Sequence, residues 1–97
     1  MKESAIRKLA IAELGQDGWH CWFAPKAKFR ESDIFGIADL ICSKSAGIKL
    51  IQLTTLSNVS ARRKKIGKVL ERMELGCLIE IWGYDKKKKI FKKIRIN

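Results

Sequence analysis

GIADLICSKSAGIKLIQLTT, the stretch from Gly36 to Thr55, is two apolar runs joined by a short polar turn. The first run, Gly36 to Ser43, and the second, Ile48 to Thr55, each have the length and branched-residue content of a buried strand. Lys44-Ser45-Ala46-Gly47 between them is too short for anything but a tight connection, so the two strands should form an antiparallel hairpin. With Ser45 and Ala46 at the tip, opposed residues have numbers that add to 91, and Asp39 then faces Gln52. Directly opposed side chains lie about 5 Å apart at the β-carbon. A slip of one residue would put the two on opposite faces. Both faces of the hairpin are apolar, so alternation supports this register only weakly.

The flanking sequence supplies the rest of the fold. Upstream, Ile6, Leu9, Ala10, Glu13 and Leu14 recur at helical spacing, predicting a helix over residues 3–16 that ends at Gly15 and Gly18. Trp19 to Ala24 reads as a short strand stopped by Pro25, and Lys26 to Ser32 as a basic irregular segment. Downstream, Ser57 or Asn58 caps a second helix running to about Glu74, with an inner stripe of Val59, Arg62 or Arg63, Ile66, Val69, Leu70 and Met73. Cys77 to Tyr84 and Ile90 to Ile96 are two further strands around a charged turn, Asp85 to Lys89. The order α-β-β-β-α-β-β in 97 residues predicts one α/β domain, residues 1–97, with helices packed on a single mixed sheet.

Twenty-one Lys and Arg against ten Asp and Glu leave a formal charge of +11. Self-repulsion at that charge opposes compaction, which points to a polyanionic partner. Nucleic acid is the expected one. No apolar stretch approaches membrane-spanning length, and no signal-peptide core follows Met1. Cys21, Cys42 and Cys77 form no C-x-x-C pair and sit in apolar runs, so they read as packed thiols in a reduced, cytoplasmic protein. His20 stands alone and no zinc pattern is present.

Asp39 and Gln52 are conspicuous because each interrupts an apolar strand. A buried carboxylate needs a partner. A structural carboxylate would find it in a nearby lysine or a helix N-terminus. A catalytic one would find it in a divalent cation, for which carboxylate and amide oxygens are suitable hard ligands. Phosphodiester cleavage uses such an ion to activate water and to stabilise charge on the phosphate. Asp33, six residues before Asp39, offers either a second ligand or a fixer of Arg30.

Here the motifs resemble those of the PD-(D/E)XK nuclease superfamily, and within it the archaeal-type Holliday junction resolvases and their small phage and bacterial relatives. Asp33-Ile34-Phe35-Gly36-Ile37-Ala38-Asp39-Leu40 resembles their D-x-F-G-x-x-D-L element. Gln52-Leu53-Thr54 resembles their Q-V-T variant of the E-x-K half-motif. Lys2-Glu3-Ser4-Ala5-Ile6, Gly18-Trp19 and Ile81-Trp82 also resemble resolvase segments, so the likeness spans nearly the whole chain. It implies a restriction-endonuclease-like αβββαβ core with an extra C-terminal strand. It implies Asp39 as central metal ligand, Gln52 and the Leu53 carbonyl beside it, and Mg2+ or Mn2+ as the ion. The implied activity is a metal-dependent DNA endonuclease acting on branched or junction DNA. Symmetric cleavage of a junction needs two sites, hence a C2 homodimer.

Two residues depart from the pattern. Thr54 stands where the motif lysine belongs, and Arg7 where the first-helix glutamate belongs, with Glu3 one turn earlier as its nearest substitute and Glu13 as a weaker one. Arg62 and Arg63 are the replacements best placed on helix two; a guanidinium there holds a phosphate but does not act as a base. The alternative is therefore a catalytically inactive nuclease-fold module that binds nucleic acid.

Three basic clusters complete the reading. Lys26, Lys28 and Arg30 precede the site, and Arg62, Arg63, Lys64, Lys65 and Lys68 follow it; both groups are expected to contact phosphate. Lys86 to Lys89, with Lys92, Lys93 and Arg95, crowd the C-terminal hairpin, where they serve either as a second DNA contact or as guards of an edge strand. Trp19, Trp22 and Trp82 are expected in the core, and Glu80 is expected to pair with a helix lysine.

Overall fold

The computed structural model describes residues 3–23 and 34–97. The elements follow the expected order: α1 (Glu3–Gln16), β1 (His20–Trp22), β2 (Leu40–Lys44), β3 (Gly47–Thr55), a single 3-10 turn (Leu56–Asn58), α2 (Val59–Leu70), β4 (Leu78–Asp85) and β5 (Ile90–Arg95). The five strands make one sheet in sequence order. Every neighbouring pair is antiparallel except β3 and β4, which run parallel because α2 carries the chain back across the sheet between them. Among the described residues no helix is long and apolar enough to cross a membrane.

The sheet is covered on both faces. On one, α1 buries Ala10 and Leu14 against Leu40, Cys42, Ile51, Leu53 and Trp82. On the other, α2 buries Val59 and Ile66 against Leu50, Ile79 and Ile81, joined by Ile37 and Ala38. Burial on both faces explains why β3 reads as an almost unbroken apolar run. Ile66 is fully buried, worth roughly 1.5–3 kcal/mol relative to exposure, and anchors the middle of α2. Gly83 sets the approach of that helix. A β-carbon there would lie 2.6 Å from Val59 Cγ2 and 3.4 Å from the Leu56 backbone, so only glycine lets the start of α2 lie flat on β4.

Several elements differ from the sequence expectation. Leu9 is exposed, and the α1 stripe is Ile6, Ala10 and Leu14, a strict four-residue spacing. The second helix stops at Leu70, short of Glu74, so Met73 lies outside it and is exposed. Neither Ser57 nor Asn58 makes a side-chain capping bond to α2; Ser57 Oγ lies 3.3 Å from Thr55 Oγ1 instead. Trp82 is core and Trp19 half-buried, but Trp22 sits on the short edge strand β1 and is exposed. Glu80 pairs with a strand lysine: Lys49 Nζ lies 3.2 Å away, and Trp82 Nε1 donates to the same carboxylate at 3.0 Å. Lys49, though buried, is satisfied by that bridge and by the Trp19 ring, 4.4 Å off. Cys21 and Cys42 face each other across β1 and β2 with their sulfurs 3.2 Å apart.

Candidate metal and phosphate site

The β2–β3 register is the one that the turn implied. Leu40 opposes Ile51, Ile41 opposes Leu50 and Cys42 opposes Lys49; the pairing ends at Leu40, and Asp39 just before it meets Gln52 through its side chain. Asp39 itself is not inside a strand, contrary to the expectation that the strand began at Gly36. The chain makes a tight turn first: Ile37 and Ala38 both donate to the Ile34 carbonyl, and Ile34 donates back to Ala38 at 2.7 Å. Phe35 and Gly36 at its tip have positive φ of 55° and 73°. Glycine takes that backbone freely; Phe35 takes it at a cost of about 1–2 kcal/mol. The turn delivers Asp39 at the mouth of the hairpin, where its N–H donates to Ile51 O at 2.9 Å, one residue off the register of the ladder.

Past that point the Asp39 side chain takes over the role of the strand. The Leu53 N–H, which has no β2 backbone left to bond, donates to Asp39 Oδ2 at 2.7 Å. Gln52 Nε2 donates to the same oxygen at 2.7 Å and to the Leu53 carbonyl at 3.2 Å. Asp39, Gln52 and the Leu53 carbonyl therefore meet at one point, on the face of the sheet covered by α2. Gln52 is buried and Asp39 half-buried.

The amide of Gln52 is the informative group. Its Oε1 is buried with no hydrogen-bond partner among the described residues. Turning the amide over is a change of assignment more than of shape. It would set Oε1 against Asp39 Oδ2 and the Leu53 carbonyl, at the 2.7 and 3.2 Å now spanned by Nε2. Oxygens bound to one octahedral Mg2+ at 2.0–2.1 Å are separated by about 3 Å along each edge. With the amide so turned, these two separations are close to the edges of such an octahedron, and all three donors are hard oxygens. The donor set carries a single carboxylate: no group of three His, Cys, Asp or Glu that could hold a metal occurs among the described residues.

The other expected site residues divide into three groups. Thr54 is buried on the same face as Gln52, opposite Gly83, but its hydroxyl carries no charge to replace the motif lysine. Arg62 lies half-buried in the first turns of α2, and Arg63 and Lys64 are exposed beside it. Asp33, Lys26, Lys28 and Arg30 lie outside the described residues. Arg7 stacks its guanidinium 4.0 Å over the Phe23 ring on the α1 side. Sequence reading missed the Phe35–Gly36 turn and the Leu53 N–H; Gly36 alone was a signal for the turn. No family model, curated protein or solved structure matches the chain.

Proposed function

We propose that this protein is a divalent-cation-dependent DNA endonuclease built on a restriction-endonuclease-like core of the PD-(D/E)XK type. The observation that supports this most is the convergence of Asp39 Oδ2, the Gln52 amide and the Leu53 carbonyl, with spacings suited to an octahedral cation. Asp39, Gln52 and Leu53 would hold Mg2+ or Mn2+, which supplies Lewis acidity toward a phosphate and an activated water. The chain's own contribution is positional. The Phe35–Gly36 turn fixes Asp39, the Leu53 N–H orients its carboxylate, and Arg62 and Arg63 at the start of α2 hold a phosphate as fixed charges. Branched or junction DNA is the substrate suggested by the resolvase-like motifs, cut by a C2 homodimer with two such sites.

A second reading rests on a specific pair of residues. With Thr54 in place of lysine and Gln52 in place of an acid, the fold would bind DNA without cutting it. The two readings separate in one experiment. Junction, flap, duplex and single-stranded DNA are incubated with the protein in Mg2+, in Mn2+ and in chelator, alongside Asp39→Ala. Metal-dependent cleavage lost in Asp39→Ala supports the nuclease. Salt-sensitive binding that ignores both metal and Asp39 supports the module. Mn2+ titration by calorimetry, on wild type and Gln52→Ala, reads the cation site independently of cleavage.

A further inference from the structure

The lysine-rich turn between β4 and β5 is one of two runs of four consecutive cations, the other being Arg62 to Lys65 in α2. Lys86, Lys87, Lys88 and Lys89 are consecutive and exposed, and none has an ion-pair partner among the described residues. Asp85, the nearest carboxylate in sequence, is spent on the backbone: its Oδ1 accepts the N–H groups of Lys87 and Lys88 at 3.0 and 3.2 Å. That brace orders the turn. Lys89 closes it at a φ of 55°, a conformation that glycine or asparagine adopts more cheaply. Protection of an edge strand accounts for Lys92, Lys93 and Arg95, which lie in β5 itself, with Lys93 also bridged to Glu13. It does not account for four lysines in a turn, which presents no open strand edge.

Topology places this turn with the Asp39–Gln52 site. Because β3 and β4 are parallel, their C-terminal ends share one end of the sheet, where α2 also begins. Gln52 is level with Ile81, and the lysine turn starts five residues further on, at Lys86. At about 3.3 Å per residue and one or two strand spacings sideways, the two lie roughly 18 Å apart. That is about five base pairs of duplex at 3.4 Å each.

We propose that the Lys86–Lys89 turn is a docking point for the phosphate backbone of duplex DNA, set about five base pairs from the Asp39–Gln52 site at the same end of the sheet. The proposal rests on the DNA-binding part of the function proposed above and not on cleavage. Duplex is favoured over single strands by what surrounds the lysines. Single-strand platforms interleave charge with aromatic rings for stacking. Here the neighbouring rings are occupied: Tyr84 is buried, and Phe91 packs against Trp82 and Tyr84, each 5.2 Å between centroids. Lysines without stacking partners track a backbone and leave the bases unread.

Fluorescence anisotropy on the full chain, in chelator to suppress cutting, tests this with a 20-base-pair duplex, a 20-nucleotide single strand and anionic phosphatidylserine vesicles. Lys87→Ala/Lys88→Ala is compared with Lys8→Ala/Arg72→Ala, which removes the same charge from exposed positions elsewhere. The expected result is at least a fivefold loss of duplex affinity in the turn variant at 100 mM salt, a log–log salt slope shallower by about 1–2, and a loss under twofold in the control. Thermal melting of both variants checks that the fold is intact. Equal losses in the two variants, with wild type binding duplex, would overturn the docking point and leave the proposed function standing. So would a turn variant that loses single-strand or vesicle binding while keeping duplex binding. Wild type that binds no DNA at all would overturn both.

Discussion

Gln52→Glu converts the neutral member of the site into a second carboxylate, and the structure sets the consequence. Gln52 Nε2 now donates to Asp39 Oδ2 at 2.7 Å inside a buried site. A glutamate in the same rotamer replaces that attraction with two like charges whose centres lie roughly 4 Å apart, a repulsion of about 4 kcal/mol at an effective dielectric of 20. Uptake of a proton by one carboxyl relieves part of it, so the metal-free variant is expected to lose about 2–4 kcal/mol. The loss is smaller at pH 5 than at pH 8: a carboxyl that stays protonated longer in the folded state makes stability fall as pH rises. In a domain of 97 residues this lowers Tm by roughly 10–25 °C. A divalent ion inverts the sign, since the second carboxylate then attracts the cation, and Mg2+ affinity should rise at least tenfold over wild type. Thermal melts of both proteins in chelator and across a Mg2+ series, at pH 5 and pH 8, measure all three effects. Should the variant unfold without metal, recovery of the melting transition on adding Mg2+ still reports binding. A metal-free variant as stable as wild type, with no added stabilisation by Mg2+, would refute the convergence of Asp39, Gln52 and Leu53 on a cation site.

Other consequences are more local. Glu80→Gln keeps an acceptor for Trp82 Nε1 but leaves the Lys49 ammonium, only 10% exposed, without its counter-charge; a loss of about 2–3 kcal/mol is expected by urea denaturation, and Lys49→Met in the same chain should restore most of it. Gly83→Ala drives a methyl to within 2.6 Å of Val59 Cγ2, so α2 must shift, and chemical denaturation should register about 1–3 kcal/mol of destabilisation. Burial, followed by the hydrogen bond shared with Cys21, pushes the Cys42 thiol well above the ordinary thiol range. Iodoacetamide on the native protein at pH 8 should therefore label the half-buried Cys21 and Cys77 before Cys42, as read by peptide mass mapping, while labelling in denaturant is uniform.

The order of elements was legible because each signal was local. The spacing of Ile6, Ala10 and Leu14 is a helix stripe whatever surrounds it, and the Ser45–Ala46 turn alone determined which residues of β2 and β3 meet. Tertiary facts were not legible. The second helix ends at Leu70, although the apolar pattern continues to Met73, because the chain must turn back to begin β4 at Leu78. Glu80 found Lys49 and not a helix lysine because parallel pairing of β3 and β4 set both on the α1 face, a relation no linear pattern encodes. Trp22 is exposed because it alternates with Cys21 and so projects from the face opposite α1, at the edge of the sheet.

The site shows the same division more sharply. The hairpin turn brought Asp39 and Gln52 together from sequence alone, but the pair holds its geometry through the Phe35–Gly36 turn and the Leu53 N–H, which no apolar pattern marks. Asp39 sits one residue outside the strand, and its carboxylate accepts the Leu53 N–H that the ladder leaves over. The positive φ of Phe35 belongs to the same logic: strain in an exposed turn is tolerated where it ends the pairing one residue early. Relaxing that turn, for example by Phe35→Gly, should therefore stabilise the fold slightly. Replacing Gly36 with a β-branched residue should displace Asp39 and weaken any cation bound between Asp39 and Gln52.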